Sequence, residues 1–437
     1  MAADDARAIF AAAVAAVDSS RLVRQAVQVD EAGQTLAIGE APPLGLGEVD
    51  RLLVVGGGKA GVGMLRGWLD ALPPAWRSRC EGWINVPADC VPSETLHPAI
   101  TVHAAREAGV NEPQAAGVVG THHILKLVAT AGPRDVVVVL LSGGGSALLP
   151  APRGVSLEQK QQLVRQLSRG GATITQLNAV RRQLSLIKGG GLAAACRAGA
   201  MHVLTVSDVI GDDWATIASG PTTPPADDAV EQARAVLGAF AIAGPVREAA
   251  LAPKPPATIA TRLHHHLIGS NCIAVAAAAA AARERGYDVV RADSGRAGEA
   301  ASLGRDLLAE LRTLRDESPR RRCVVDGGEP VVDLPASPGR GGRNQHLVLA
   351  ALASQPASEW ERLTLLSGGT DGEDGATDAA GGVVDAAITA AASSLDLAAT
   401  LAAGNSYEAL AACEALLHTG PTHTNVMDVR IGLVSGH

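Results

Sequence analysis

Four glycine-softened segments hold the residues whose types and spacing could do chemistry. The first, Gly56-Gly57-Gly58-Lys59-Ala60-Gly61, follows an apolar run at 49–55. It satisfies the GxGxxG spacing of a dinucleotide loop, a weak signal when it stands alone. No Asp or Glu closes the next strand-like run, Glu81 preceding it instead, and Lys59 puts a cation inside the loop. A lysine among backbone N–H groups at a helix start suits a phosphate or carboxylate better than a hydrogen-bonded ribose. Anion binding by Gly57, Gly58 and Lys59 is therefore the favoured reading, with a dinucleotide loop and a purely structural tight turn as alternatives. No GxxxxGK[ST] sequence occurs, so this is not a Walker loop.

The second segment, Ser142-Gly143-Gly144-Gly145-Ser146, follows the unbroken apolar run VVVVLL. Three glycines let a backbone approach a ligand and two hydroxyls can add donors; a close crossing of backbone over a sheet is the structural alternative. Lys188 stands before three further glycines, and Asp208 opens a polar loop that runs to Asp213. In the third segment, Gly339-Arg340-Gly-Gly-Arg343-Asn344-Gln345, two cations and two amides share a loop, and the arginine fork suits a carboxylate or phosphate. The fourth gathers Asp371, Glu373 and Asp374 among glycines. Asp371 and Asp374 could hold Mg²⁺, which needs few protein ligands when phosphates supply the others. Arg320, Arg321 and Arg322 read instead as a solvated basic face. His264, His265 and His266 read as a solvated strand edge, because successive strand residues point to opposite faces.

Cations, glycine loops after apolar runs and uncoupled carboxylates together suit phosphoryl transfer. No GxSxG elbow or linear hydrolase signature is present. A net charge of -8 argues against a general nucleic-acid binder, and aromatics at 2% leave few stacking platforms for bases. The six cysteines form no CxxC or zinc spacing and read as thiols of a reducing compartment, with the cytoplasm as the expected location. The alanine-rich run after Asn271 is closed by Arg283, Glu284 and Arg285, too early for a membrane span.

A length of 437 residues predicts more than one hydrophobic core. Helices are expected over 4–29, 64–72, 116–129, 157–169, 174–184, 274–283, 299–315 and 345–353. Strands are expected at 49–55, 82–86, 135–141, 201–206, 287–290, 322–325 and 363–366. A long loop is expected between 87 and 113. Alternation in both halves predicts an α/β fold in two domains, residues 1–256 and 257–437, with a cleft between them.

Several of these segments, VVGGGKAG at 54–61, LLSGGGSALLPAP at 140–152, GRGGRNQ at 339–345, LSGGTDGEDGATDAAGGVVD at 366–385 and HTGPTHTNVMD at 418–428, resemble in order the glycerate 2-kinase (MOFRL) family, whose members also carry the name hydroxypyruvate reductase. The resemblance implies a large Rossmann-like N-terminal α/β/α domain and a smaller C-terminal α/β domain. It implies ATP-dependent phosphorylation of D-glycerate at its 2-hydroxyl with a divalent metal, Mg²⁺. On that resemblance Lys59 and Arg343 are the essential cations, with Arg343 ahead of Arg340; Asp208 is the carboxylate chosen beside them as a catalytic candidate, to hold the metal or orient the hydroxyl. Gly57, Gly58, Ser142, Gly143, Gly144, Gly145, Ser146, Lys188, Arg340 and Asn344 fall to substrate or phosphate binding. D-glycerate and ATP are the expected partners, without nucleic acid or membrane; a homodimer is compatible with this reading. Three departures touch the motifs: Gly109-Val-Asn-Glu-Pro113 stands as the nearest counterpart of a usual His-Pro-x-Pro-Asp segment, His346 replaces a usual Glu, and His423 and Met427 replace a usual Gly and Asn. An NAD(P)-dependent hydroxypyruvate reductase and a regulatory binding protein without turnover are the alternatives.

Overall fold

The computed structural model describes residues 2–110, 112–254, 259–335 and 337–436. The chain forms two compact units, Ser19–Ile268 and Met1–Asp18 with Gly269–His437. The boundary expected near 256 lies outside the described residues. The opening helix, Ala2–Ala16, buries Ala6, Ile9, Phe10 and Ala13, a helical stripe that packs on helix Asn271–Glu284 of its own unit. That packing draws the first residues to the C-terminal half of the chain.

In the unit Ser19–Ile268, six strands make one sheet: β1 (Leu52–Gly57), β2 (Cys80–Pro87), β3 (Ile100–Arg106), β4 (Val136–Leu141), β5 (Ala200–Val206) and β6 (Arg262–Gly269). Their order is 3-2-1-4-5-6, and the pairs from β3 through β5 are parallel. β1 and β4 are buried at every residue, as expected of strands covered on both faces. Strand order reverses between β1 and β4, the place where sheets of this kind bind ligands. The strand β3 occupies part of the stretch expected to be loop. It is an edge strand, and its sequence ITVHAAR carries no continuous apolar run to reveal it.

The other unit has a mixed sheet: β7 (Asp288–Asp293), β8 (Arg322–Gly328), β9 (Leu363–Gly369), β10 (Gly381–Asp385), β11 (Leu416–Leu417) and β12 (Asp428–Val434). The order is 7-8-12-9-10-11, with only β7 and β8 parallel. β12 had no counterpart among the expected strands because it carries Asp428, Arg430 and Gly432, yet it lies at the centre with all seven residues buried. Arg430 is tolerated there because it reaches Asp326 and the Gly327 carbonyl oxygen. Helices Ala300–Glu317 and Arg343–Ser354 pack together on this sheet.

No disulfide joins any of the six cysteines. Among the described residues, no helix is long and apolar enough to cross a membrane. The expected solvated histidine edge differs in detail: β6 does carry His264, His265 and His266, but their rings are half-buried and partnered. His266 bonds His202 at 3.2 Å and His265 bonds Thr222 at 2.9 Å.

Candidate active site

The register of the first sheet sets Gly57, Leu141 and Thr205 side by side. The loops that leave β1, β4 and β5 therefore start from one edge, and they carry Lys59, Ser142 to Ser146 and Asp208. The first two loops are locked together. Lys59 N donates to Gly143 O at 2.9 Å, Ser142 N to Gly57 O at 3.4 Å, and Ala60 N to Ser142 Oγ at 3.0 Å. Ser142 thus ties the residue that precedes helix Gly61–Ala71 to the second loop. Gly58 is required at this crossing: its φ is +155°, and a Cβ would fall 2.0 Å from Ser142 Oγ.

Gly144, with φ +77°, forms the floor of the second loop. A Cβ there would lie 3.7 Å from both Lys59 Cγ and Arg106 Nη2, so two cationic side chains converge over this glycine. Arg106, buried at the end of β3, was not found from sequence, because its strand was read as loop. Gly145 follows as the first residue of a short helical turn, Gly145–Leu148, with Ser146 beside it.

Lys188 lies under this turn. Its Nζ donates to Ser146 O and Ala218 O, each at 3.1 Å, and burial, reinforced by Lys160, Arg181 and Arg182, pushes its pKa well below the ordinary lysine range. Ser146 Oγ shares a 2.8 Å bond with Ser219 Oγ, which donates to Asn178 Oδ1. Ala218, Ser219 and Gly220 are consecutive left-handed residues with φ of 49°, 62° and 66°. Non-glycine residues in that region cost about 1 kcal/mol or more each, so the Lys188 and Ser146 contacts hold a strained segment in place. Asp208 lies half-buried just beyond β5, while Asp213 is engaged locally by Thr216 and Ala215.

In the unit containing the C-terminus, the GRGGRN segment is a loop only up to Gly342. Arg343 is the first residue of helix Arg343–Ser354. Its Nε and Nη2 donate to the two carboxylate oxygens of Asp428 at 2.6 and 2.9 Å, and Nη1 lies 3.2 Å from Glu329. The charge and hydrogen bonds of Asp428 raise the guanidinium pKa against the opposing effect of burial. Asp428 and Glu329 were not singled out in the sequence; the motif ending at Asp428 was the available signal. Arg340 goes elsewhere, to Glu408 at 3.1 Å and over the Tyr407 ring at 4.2 Å.

Asp374 is buried, and its carboxylate accepts from Asn344 N at 3.0 Å and Gln345 N at 2.8 Å. It satisfies the open N–H groups of the Arg343 helix. Burial nonetheless pushes its pKa up to about 7 against those hydrogen bonds. Asn344 is equally buried and accepts from Ser367 Oγ at 2.5 Å, so it holds the helix to β9. Asp371 accepts from Glu373 N, and a Cβ on Gly369 would come 3.0 Å from Asp371 Oδ1 and 3.5 Å from Asp428 Oδ1. Two carboxylates thus flank one glycine. Among the described residues, no group of three or more His, Cys, Asp or Glu side chains gathers to hold a metal ion.

The MOFRL family matches residues 322–428, and a family described as a domain of unknown function (DUF4147) matches residues 5–252. The glycerate kinase of Mus musculus is 33% identical over 98% of this chain and 92% of its own. The D-glycerate 2-kinase of Thermotoga maritima is 38% identical over 75% of this chain and 79% of its own. A crystal structure of glycerate kinase from Thermotoga maritima superposes with a TM-score of 0.81 at 32% identity, covering 99% of each chain. Sequence and fold agree over nearly the whole length, and the chain belongs to the glycerate kinase family.

Proposed function

We propose that this protein transfers the terminal phosphoryl group of ATP to the 2-hydroxyl of D-glycerate, giving 2-phospho-D-glycerate and ADP. The observation that carries the reading is the convergence of Lys59 and Arg106 on Gly144, at the strand-order reversal between β1 and β4, in a chain of this family. Phosphoryl transfer asks a protein mainly for positioning and for charge stabilisation. Lys59 offsets charge on the transferring group, and the Gly143 to Gly145 backbone gives phosphate oxygens close access. Asp208 orients the acceptor hydroxyl and takes up its proton. Arg343 meets the glycerate carboxylate with the guanidinium edge that Asp428 leaves uncovered, where Glu329 now lies.

A divalent metal such as Mg²⁺ would supply charge neutralisation at the phosphates. The residues present fit a metal held largely by phosphate oxygens and water, with Asp371 as its protein contact. Asp374 is a helix cap in this reading, since its oxygens already meet two backbone N–H groups.

One observation favours a second reading, an NAD(P)-dependent hydroxypyruvate reductase: Asp89 stands in the turn Ala88–Cys90 immediately after β2, near where a ribose-binding acid would be expected. Lys59 within the glycine loop weighs against it. The test is ADP release from ATP, Mg²⁺ and D-glycerate, run beside NADH and NADPH oxidation with hydroxypyruvate. Turnover only in the second assay overturns the kinase reading.

A further inference from the structure

A cavity of about 150 Å³ opens beside the Ser146 turn in the unit Ser19–Ile268. Ser146, Lys160, Gln161, Arg181 and Lys188 line it within an otherwise largely apolar wall. Lys160 comes from helix Leu157–Arg169 and occupies that helix's buried stripe with Leu163 and Leu167, a place where an apolar residue would ordinarily stand. Arg181 comes from the last turn of helix Ile174–Gln183, and Lys188 from the loop that follows.

The charges on this wall do not balance. Lys160 Nζ donates to the Leu184 carbonyl at 2.8 Å, and Lys188 Nζ to the Ser146 and Ala218 carbonyls, so both meet neutral acceptors. The half-buried Arg181 guanidinium meets no hydrogen-bond acceptor or ion-pair partner among the described residues, and burial lowers its pKa. The carboxylate on the wall, Glu112, is engaged by Arg165 at 2.8 Å. Burial, with Arg181 and Lys254 nearby, lowers the Lys160 pKa to about 7. Three basic side chains share an apolar wall with no free counter-charge, burial disfavours their charged forms, and folding alone gives no reason to place them together. A bound anion would offset that cost.

We propose that this cavity is an oxyanion subsite that takes a phosphate group of a small-molecule ligand, with Arg181 and Lys160 as its binding residues and Lys188 holding Ser146 in position. The subsite rests on the kinase reading only for the identity of the carrier, which is either the nucleotide or the phosphorylated acid.

The test is calorimetric titration and thermal unfolding of the full chain, for wild type, Arg181→Gln and Lys160→Met. The probes are inorganic phosphate, a non-hydrolysable ATP analogue and 2-phospho-D-glycerate, at ionic strength matched with chloride. Wild type should gain thermal stability with at least one phosphate probe. Arg181→Gln should weaken that probe's Kd by about 10-fold or more, while its unliganded Tm stays level or rises because cation repulsion is relieved. The organic probe whose affinity falls most names the carrier. Absence of protection by all three probes in wild type overturns the subsite, as does undiminished affinity in both variants. A fall of the unliganded Tm in both variants marks the cations as structural and likewise counts against it. Phosphate binding that depends on Arg181, in a protein without D-glycerate turnover, would sink the kinase reading and leave the subsite standing.

Discussion

Arg343 and Asp428 form a two-pronged ion pair, Nε to Oδ2 at 2.6 Å and Nη2 to Oδ1 at 2.9 Å. Asp428 opens the central strand β12 and is wholly buried, so the pair fixes which edge of the guanidinium faces outward. Arg343→Lys keeps the charge and loses the fork. Its kcat/KM for D-glycerate should fall more than about 10-fold, or roughly 1.4 kcal/mol, with ATP affinity little changed. Asp428→Asn should raise KM for D-glycerate in the same direction and lower stability by about 3 kcal/mol or more. Intact glycerate kinetics in Arg343→Lys would remove this arginine from the acceptor site.

Lys59 shares the floor at Gly144 with Arg106. Lys59→Met keeps the stem and removes the cation. If that charge acts in the transition state, kcat should drop by roughly 10²-fold or more, with an unchanged melting temperature. Steady-state kinetics near wild type would refute the assignment.

Asp371 and Asp374 should separate cleanly. Asp371→Ala should raise the Mg²⁺ concentration needed for half-maximal turnover, with stability unaffected. Asp374→Ala uncovers two helix N–H groups in the interior and should cost about 1 to 3 kcal/mol in a denaturant titration. A Mg²⁺ requirement that is unaltered in Asp371→Ala contradicts its metal role.

The pH dependence of Asp374 follows from its raised pKa. The folded state holds the Asp374 proton to about pH 7, whereas an ordinary aspartate loses it near 3.8. The folded protein therefore binds more protons between these values. This stabilising contribution is complete below about pH 4 and is lost as pH rises towards 7, with a slope of at most about 1.4 kcal/mol per pH unit. Relative to Asp374→Asn, wild type should lose stability over that window. Parallel stability-versus-pH curves for the two proteins would show that Asp374 does not titrate there.

His423 and Met427 have φ of 55° and 68°, the left-handed region. These are the two positions at which the family resemblance leads one to expect Gly and Asn, residues that tolerate that region. His423→Gly should raise stability by about 0.5 to 1 kcal/mol, read as an upward shift in Tm. A lower Tm would mean that the His423 side chain contributes more than its backbone strain costs.

Local pattern revealed the parts of this protein that local physics dictates. The unbroken VVVVLL of β4 can only be a strand covered on both faces, and the glycines after β1 and β4 mark where backbone crosses backbone. The glycine loops that carry Lys59 and precede Arg343, and the α/β alternation, could be read in this way, with ordered motifs supporting a family. Tertiary structure decided what depends on partners distant in the chain. Arg106 lies on an edge strand without a continuous apolar run, and Asp428 lies on a central strand whose sequence contains charge and glycine, so periodicity identified neither strand. Asp374 resembles a metal ligand in its glycine-rich sequence, yet 30 residues separate it from Asn344, whose N–H it accepts. The sequence showed which residues carry charge; the fold determined which charges are neutralised by neighbours, because that depends on burial and on partners brought together from far along the chain.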